Sequence, residues 1–409
     1  MKKELEELHF SVQAIQSAKN PPLVIAQKKF SSSAKTIGIY GHYDVQPEDP
    51  LNEWLTKPFI LTVKNGKFYG RGVADNKGPV VQNITAIRRL LEKGQLKRNI
   101  MFVLEGEEEI GSVHFEHHAN KIKKVLSEAD VFFLTDMGMH NKDKPQIMYG
   151  LRGILYFEIE VEIGQRDLHS GVYGNRVINP AQILSYLFSQ MKDTITGKIT
   201  IPGFYKRVRR VERKERILLS QTKRTDKEEM EEAQVYSLTS LDKENPSLST
   251  KIYPAMDING IYSGFTGKGP KTIIPRVAMA KFSLRLIEYQ DPDEIENMVR
   301  TFIKKTIPKG VRFNLRTLSS GLPFYTAYDN PYIKKTAEIL TRVFGHKTLI
   351  NRSGGSIGAA ATLSRLTKKP IVVTGFTLPD DRAHSPNENF DEEMFWKGID
   401  ALEKIYKEI

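Results

Sequence analysis

Cysteine is absent from all 409 residues, so no disulfide closes the chain and no thiolate is available to a metal; any ion must be held by His, Asp and Glu. No run of 18 or more apolar residues occurs, which excludes a membrane-spanning helix. The opening residues, MKKELEELHF, lack the apolar core of a secretory signal, and together with the missing cysteine they point to a cytoplasmic protein. Acidic residues are outnumbered, 49 against 61 Lys and Arg, for a net charge of +12. An excess of that size can serve nucleic acid or an acidic membrane. Much of it sits in YKRVRRVERKERILLSQTKR, residues 205–224, where basic residues alternate with Val, Leu and Glu and no glycine is interleaved. That pattern reads as a solvated, salt-bridged helix face, and neither nucleic acid nor membrane is expected as a partner.

What is present describes an ordinary folded chain: 40% apolar and 27% charged residues, long enough for two domains. KTIGIY (35–40), RNIMFVLE (98–105), ADVFFLT (129–135) and PIVVTGF (370–376) are short, nearly continuous apolar runs. Runs of this kind are strands buried on both faces, so a mostly parallel sheet flanked by helices is predicted. Val80, Ile84, Ile87 and Leu91 recur at helical spacing and predict a helix after the first motif.

In such sheets ligands bind beyond the carboxyl ends of the strands. The first strand runs into His42 and Asp44, the second into EGEEEIGS with Glu105, Glu107, Glu108 and Glu109, the third into Asp136, and the last leads to RAHSPNENF with His384. Asp75 comes from the glycine-bounded loop GRGVADNKGP. Alone, each has a plainer explanation: a satisfied histidine, an acidic helix start, a turn aspartate. Their recurrence at one sheet edge is what argues for a site. Two histidines and several carboxylates without sulfur suit a hydrolytic centre with two divalent ions. Ions about 3.5–4 Å apart need a bridging carboxylate, and a further carboxylate must act as base without ligating. A ligating His usually hands its other ring N–H to a carboxylate. Asp44, two residues from His42 in extended chain, shares its side and meets that need. Spacing alone does not say which acids of the EGEEE run ligate.

GHYDVQP, GRGVADNKGP, EGEEEIGS, YGLRGILYFEIEV, DLHSGVYGN, KTIIP, NRSGGSIGAA and AHSPNE, in that order, resemble the aminoacylase/carboxypeptidase/dipeptidase family of di-metal amidohydrolases, nearest its cytosolic non-specific dipeptidase (carnosinase-like) branch. The resemblance runs from about residue 20 to the C-terminus. It implies that Asp75 bridges two metals, followed by a cis peptide bond to Asn76. His42 and Asp136 would complete one site, Glu109 and His384 the other. Glu108 would be the general base, Asp44 the orienter of His42, and His169 the histidine that steadies the tetrahedral oxyanion. Arg285, Thr272 and the turn of Gly354, Gly355 and Ser356 would hold the substrate carboxylate. Zinc is the expected ion, with manganese or cobalt also suiting these donors. Where the branch has a histidine-bearing HGGKPW-like stretch, SSGLPFY (319–325) stands instead, and that histidine is absent.

A second domain is legible independently. LYFEIEVEI (155–163) and VAMAKFSLRLIE (277–288) alternate strictly, and the latter puts Lys281, Ser283 and Arg285 on one polar face. One-sided strands predict an antiparallel sheet. Helices are predicted to start at NPAQIL (179–184) and DPDEIE (291–296), each with an N-cap followed by proline. Adding strands at 255–262 and 311–318 produces a ferredoxin-like insertion. The expected division is residues 1–149 and 326–409 as the di-metal catalytic domain and 150–325 as a lid and dimerisation domain. His114, His117 and His118 read as an ordinary helix face without a carboxylate partner. The whole predicts a metallopeptidase acting on dipeptides or the C-termini of short peptides, as a homodimer joined through the lid, whose lid histidine, His169, would serve the partner's site. The alternatives are an N-acyl-amino-acid deacylase using the same site and a non-catalytic basic binding protein on a hydrolase scaffold.

Overall fold

Thr36–His42 is buried at every one of its seven positions, as is Asn99–Glu105 beside it, which is why both read as unbroken apolar runs. In the computed structural model, which describes residues 1–16, 20–222 and 225–409, these two strands pair in parallel. Val131–Leu134 adds in parallel on the other side of Thr36–His42, and Ile371–Val373 adds in parallel to that. This four-strand parallel centre belongs to a nine-stranded mixed sheet. Leu23–Lys28 pairs antiparallel with Asn99–Glu105 and carries Ser11–Ile15 outside it, while Gln146–Leu151 runs antiparallel to Ile371–Val373. The chain forms two compact units, one from Met1–Gly150, Tyr325–Arg352 and Ile357–Ile409, the other from Leu151–Phe324 and Ser353–Ser356.

The helix Lys77–Glu92 lies on this sheet. Its buried stripe is Val80, Ile84, Ile87 and Leu90, so Leu90 rather than the predicted Leu91 ends it. The approach is close: a Cβ on Gly41 would stand 2.5 Å from Val80 Cγ2. At the helix start a Cβ on Gly78 would meet the Val73 carbonyl at 1.9 Å, so only glycine lets the loop 70–76 turn directly into the helix.

In the second unit Ala255–Ser263, Val277–Leu286, Gly153–Glu162 and Arg312–Gly321 form a four-stranded antiparallel sheet in that order. With helices Pro180–Met191 and Pro292–Thr306 this is the ferredoxin-like βαββαβ arrangement. Both helices start as predicted: Asn179 accepts from the Ala181 N–H, and Asp291 from those of Asp293 and Glu294. The core face of the sheet presents Phe157, Ile159, Ala280, Phe282 and Leu284 to Leu184, Leu187, Val299 and Ile303 of the helices.

The basic segment departs from expectation. In 205–222 only Arg213–Leu219 is α-helical, followed by a 3-10 turn at Ser220–Thr222; Arg207, Arg210 and Arg213 are exposed, whereas Arg209 and Arg216 are half-buried. Arg209 binds Glu215 at 2.7 Å and Glu288 at 2.8 Å, and Arg216 binds Asp242 at 2.7 Å. Glu215 and Asp242 are buried, so the cations are drawn inward by acids that a helix-face reading does not see. Lys223 and Arg224 lie outside the described residues.

Candidate metal centre

Each central parallel strand ends at the same edge of the first unit, and the chain places a polar residue at or just past each end. His42 is the last residue of its strand and fully buried. Its Nε2 lies 2.9 Å from Asp75 Oδ1 and 3.5 Å from Asp136 Oδ1, and its Nδ1 lies 3.2 Å from Asp44 Oδ1. His384 approaches from the far end of the chain: its Nε2 is 2.9 Å from Asp75 Oδ2 and 3.1 Å from Glu109 Oε2. Asp75 therefore gives one oxygen to each imidazole. The cluster divides into a His42–Asp136 half and a His384–Glu109 half that share this carboxylate. The Asp75–Asn76 peptide is cis.

The four glutamates left undecided by spacing separate by what they touch. Glu105 accepts from Tyr40 Oη at 2.6 Å and Ser112 Oγ at 2.9 Å, and burial pushes its carboxyl up to about 7. Glu107 accepts from the His114 backbone N–H at 3.1 Å, and its carboxylate lies 2.9 Å from His114 Nδ1. His114 thus has the carboxylate partner that the sequence reading denied it, and of its neighbours His118 is buried and His117 exposed. Glu108 and Glu109 remain for the centre. Burial, then the charge of Asp136, pushes Glu108 up to about 8. Glu109 is likewise raised, by burial and then by Asp75.

Burial and the crowding of acids push Asp136 up despite its contact with His42. Burial opposes ionisation of Asp75 too, but hydrogen bonds from His384 and His42 win and hold it far below the carboxylate range. Burial lowers His42, and the carboxylates of Asp136, Asp44 and Asp75 more than reverse this. His384 rises to about 8 through Asp75.

A cation fits these residues. His42, Asp75 and Glu109 each offer a ligand atom within 4.8 Å of the others. Glu109 Oε1 is buried without a hydrogen-bond partner, and among the described residues no Lys or Arg pairs with Asp75, Asp136 or Glu109. Buried carboxylates gathered without a cationic side chain are costly unless an ion joins them. The donors are nitrogen and oxygen only, which suits a divalent ion.

Sequence reasoning missed the residues that hold the donors. Glu388, fully buried, accepts from the backbone N–H of Gly72, Ala74 and Asp75 at 2.8–3.0 Å and from Arg71 at 2.8 Å, so it shapes the loop that presents Asp75. Asn76 donates to Asp136 at 2.6 Å and Gln46 to Glu109 at 2.8 Å. The available signal was an acid four residues beyond His384, inside the quoted AHSPNE.

The remaining candidates lie in the second unit. His169 is exposed on a two-strand ribbon opposite Ile273, and the Ser170 N–H bonds the Thr272 carbonyl at 3.0 Å, so His169 and Thr272 form one small element. Arg285 faces away from the core, opposite Ile154. Gly354, Gly355 and Ser356 form an exposed turn, with Gly355 N–H bonded to Ser353 Oγ at 3.1 Å.

The model of peptidase family M20/M25/M40 matches residues 38–408. The chain is similar to the mouse (Mus musculus) Beta-Ala-His dipeptidase, 32% identical over 401 residues that span 96% of this chain and 81% of that protein. It is 33% identical to the Cys-Gly metallodipeptidase dug1 of Schizosaccharomyces pombe, over 93% of this chain and 81% of that protein. Among solved structures, the M20 family metallo-carboxypeptidase from Sulfolobus solfataricus superposes with a TM-score of 0.88 at 32% identity, covering 99% of this chain and 92% of that one.

Proposed function

We propose, from the premise that the chain belongs to peptidase family M20/M25/M40 and is a metallopeptidase, that it removes the C-terminal residue from dipeptides and short peptides. The observation that carries this reading is Asp75, whose two oxygens each meet one imidazole at 2.9 Å. His42, Asp75 and Asp136 would hold one divalent ion; Asp75, Glu109 and His384 would hold the second. Zinc is the ion we assign, manganese and cobalt being the alternatives the donors accept. Ions bound there supply Lewis acidity to the scissile carbonyl and acidify the attacking water.

The chain's own residues do the rest. Asp44 accepts the His42 Nδ1 proton, which keeps Nε2 as the lone-pair face toward Asp75 and Asp136. Glu108 has no ligand role; its carboxylate takes the proton of the attacking water, a transfer its raised pKa favours, and delivers it to the leaving nitrogen. His169 donates to the oxyanion, and Arg285, Thr272 and the 354–356 turn take the substrate's terminal carboxylate. The relatives named for Beta-Ala-His and Cys-Gly dipeptides and for a carboxypeptidase support cleavage next to a free C-terminus. We assign the active form as a cytoplasmic homodimer joined through the second unit, each copy lending His169 to the other.

The test is turnover of a dipeptide panel beside N-acetyl amino acids, with Zn²⁺ or Mn²⁺ and after chelation. Dipeptide hydrolysis that chelator abolishes and metal restores is expected; cleavage of the N-acetyl amino acids alone would make the chain a deacylase.

A further inference from the structure

Arg152 is a buried guanidinium that the mechanism above leaves unused. It stands between Leu151 and the strand Gly153–Glu162, only 7% exposed. Its backbone N–H bonds the Gly355 carbonyl at 3.0 Å, and one of its Nη atoms donates to the Thr250 carbonyl. A Cβ built on Gly354 would lie 3.9 Å from Nη2, so the guanidinium lies against the glycine turn. Its Nε is buried with no hydrogen-bond partner.

The charge is what stands unexplained. Among the described residues no carboxylate pairs with Arg152. Its most influential charged neighbour is a second cation, Arg285, also without an acid partner; burial and then that charge pull Arg152 down to about 10. Strand register places Arg285 opposite Ile154, two residues on from Arg152. Asp257, the acid that acts on Arg152, is exposed and lies 3.4 Å from Lys192, its own partner. Tethering Thr250 and the turn needs donors, not a positive charge, and a neutral amide would do so without the cost of a buried unpaired cation. Two guanidiniums without an anion, beside an exposed glycine turn, are the electrostatic complement of a carboxylate.

We propose that Arg152 is a substrate-binding residue which, with Arg285, forms a two-guanidinium subsite for the terminal carboxylate of the peptide. This rests on the reading that Arg285 and the 354–356 turn face that carboxylate. It makes Arg152 responsible for ground-state affinity toward a charged C-terminus, with no part in proton transfer.

Calorimetric titration of the metal-loaded protein with a dipeptide analogue whose amide is reduced to CH₂–NH, as the free acid and as the C-terminal carboxamide, reads the subsite without turnover. Wild type is expected to bind the acid more tightly than the carboxamide. Arg152→Gln is expected to weaken the acid about 10–100-fold, the scale of a lost charged hydrogen bond, and to leave the carboxamide within about 2-fold. Arg152→Lys, which keeps the charge without the planar fork, is expected to fall between and decides the matter if the Gln variant does not fold. Equal affinity of wild type for acid and carboxamide would remove the carboxylate subsite itself. Full retention of the acid preference in the variants, or equal weakening of both ligands, would overturn the role of Arg152 alone.

Discussion

At the scale of residues, the centre is built from donors that announce themselves and supports that do not. His42, Asp75, Asp136 and His384 were legible because each follows a strand or a glycine-bounded loop. Glu388 was not, because an acid that satisfies backbone N–H groups 300 residues away leaves no periodic mark. The EGEEE run was ambiguous for a related reason: Glu105 and Glu107 are separated from Glu108 and Glu109 only by Tyr40, Ser112 and His114, which fold against them. Glu388→Gln keeps the shape but hands an amide N–H to a pocket of backbone donors, so the Asp75 loop should loosen. Metal affinity is expected to fall about 10–100-fold, as measured by competition with a chromophoric chelator, while thermal unfolding of the remainder stays cooperative. Unchanged affinity would show that the loop holds Asp75 without Glu388.

Among elements, those with strong periodicity were the readable ones. The four central strands, both helices of the second unit and its alternating strands all appear where spacing put them. Ser11–Ile15, the edge strand, and Leu23–Lys28 inside it were missed because both are short and their patterns carry no clear period. In the basic segment 205–224 the salt bridges were legible, but not that Arg209 and Arg216 turn inward to Glu288 and Asp242, acids distant in sequence. The hydrogen bonds from Arg216 hold Asp242 below the ordinary carboxylate range. A carboxylate whose folded pKa is depressed contributes stability above its unfolded value, about 3.9, and loses it as pH falls through the folded one. Below pH 4 wild type should therefore lose this contribution, while Arg216→Gln should already lack it. At neutral pH that variant is expected to cost about 1–3 kcal/mol in denaturant unfolding, with the difference from wild type shrinking in acid. A cost that is the same at pH 7 and pH 3 would contradict the pairing.

Across the whole molecule, the assignment of His169 to a partner copy makes a quantitative demand. His169→Ala and Glu108→Gln are each expected to be inactive alone, and in a mixed dimer one complete site is assembled from the two chains. A random 1:1 mixture should regain roughly a quarter of wild-type turnover. No recovery in dimers demonstrated to be mixed would mean that each copy uses its own His169. The central claim is a shared carboxylate between two ions with a base that does not ligate, and bound metal counted per chain beside turnover tests it most directly. Elemental analysis should find two divalent ions per chain in wild type and in Glu108→Gln, whose turnover falls about 10²–10⁴-fold, and fewer than two in an inactive Asp75→Ala. Metal lost from Glu108→Gln, or retained in full by Asp75→Ala, would contradict it.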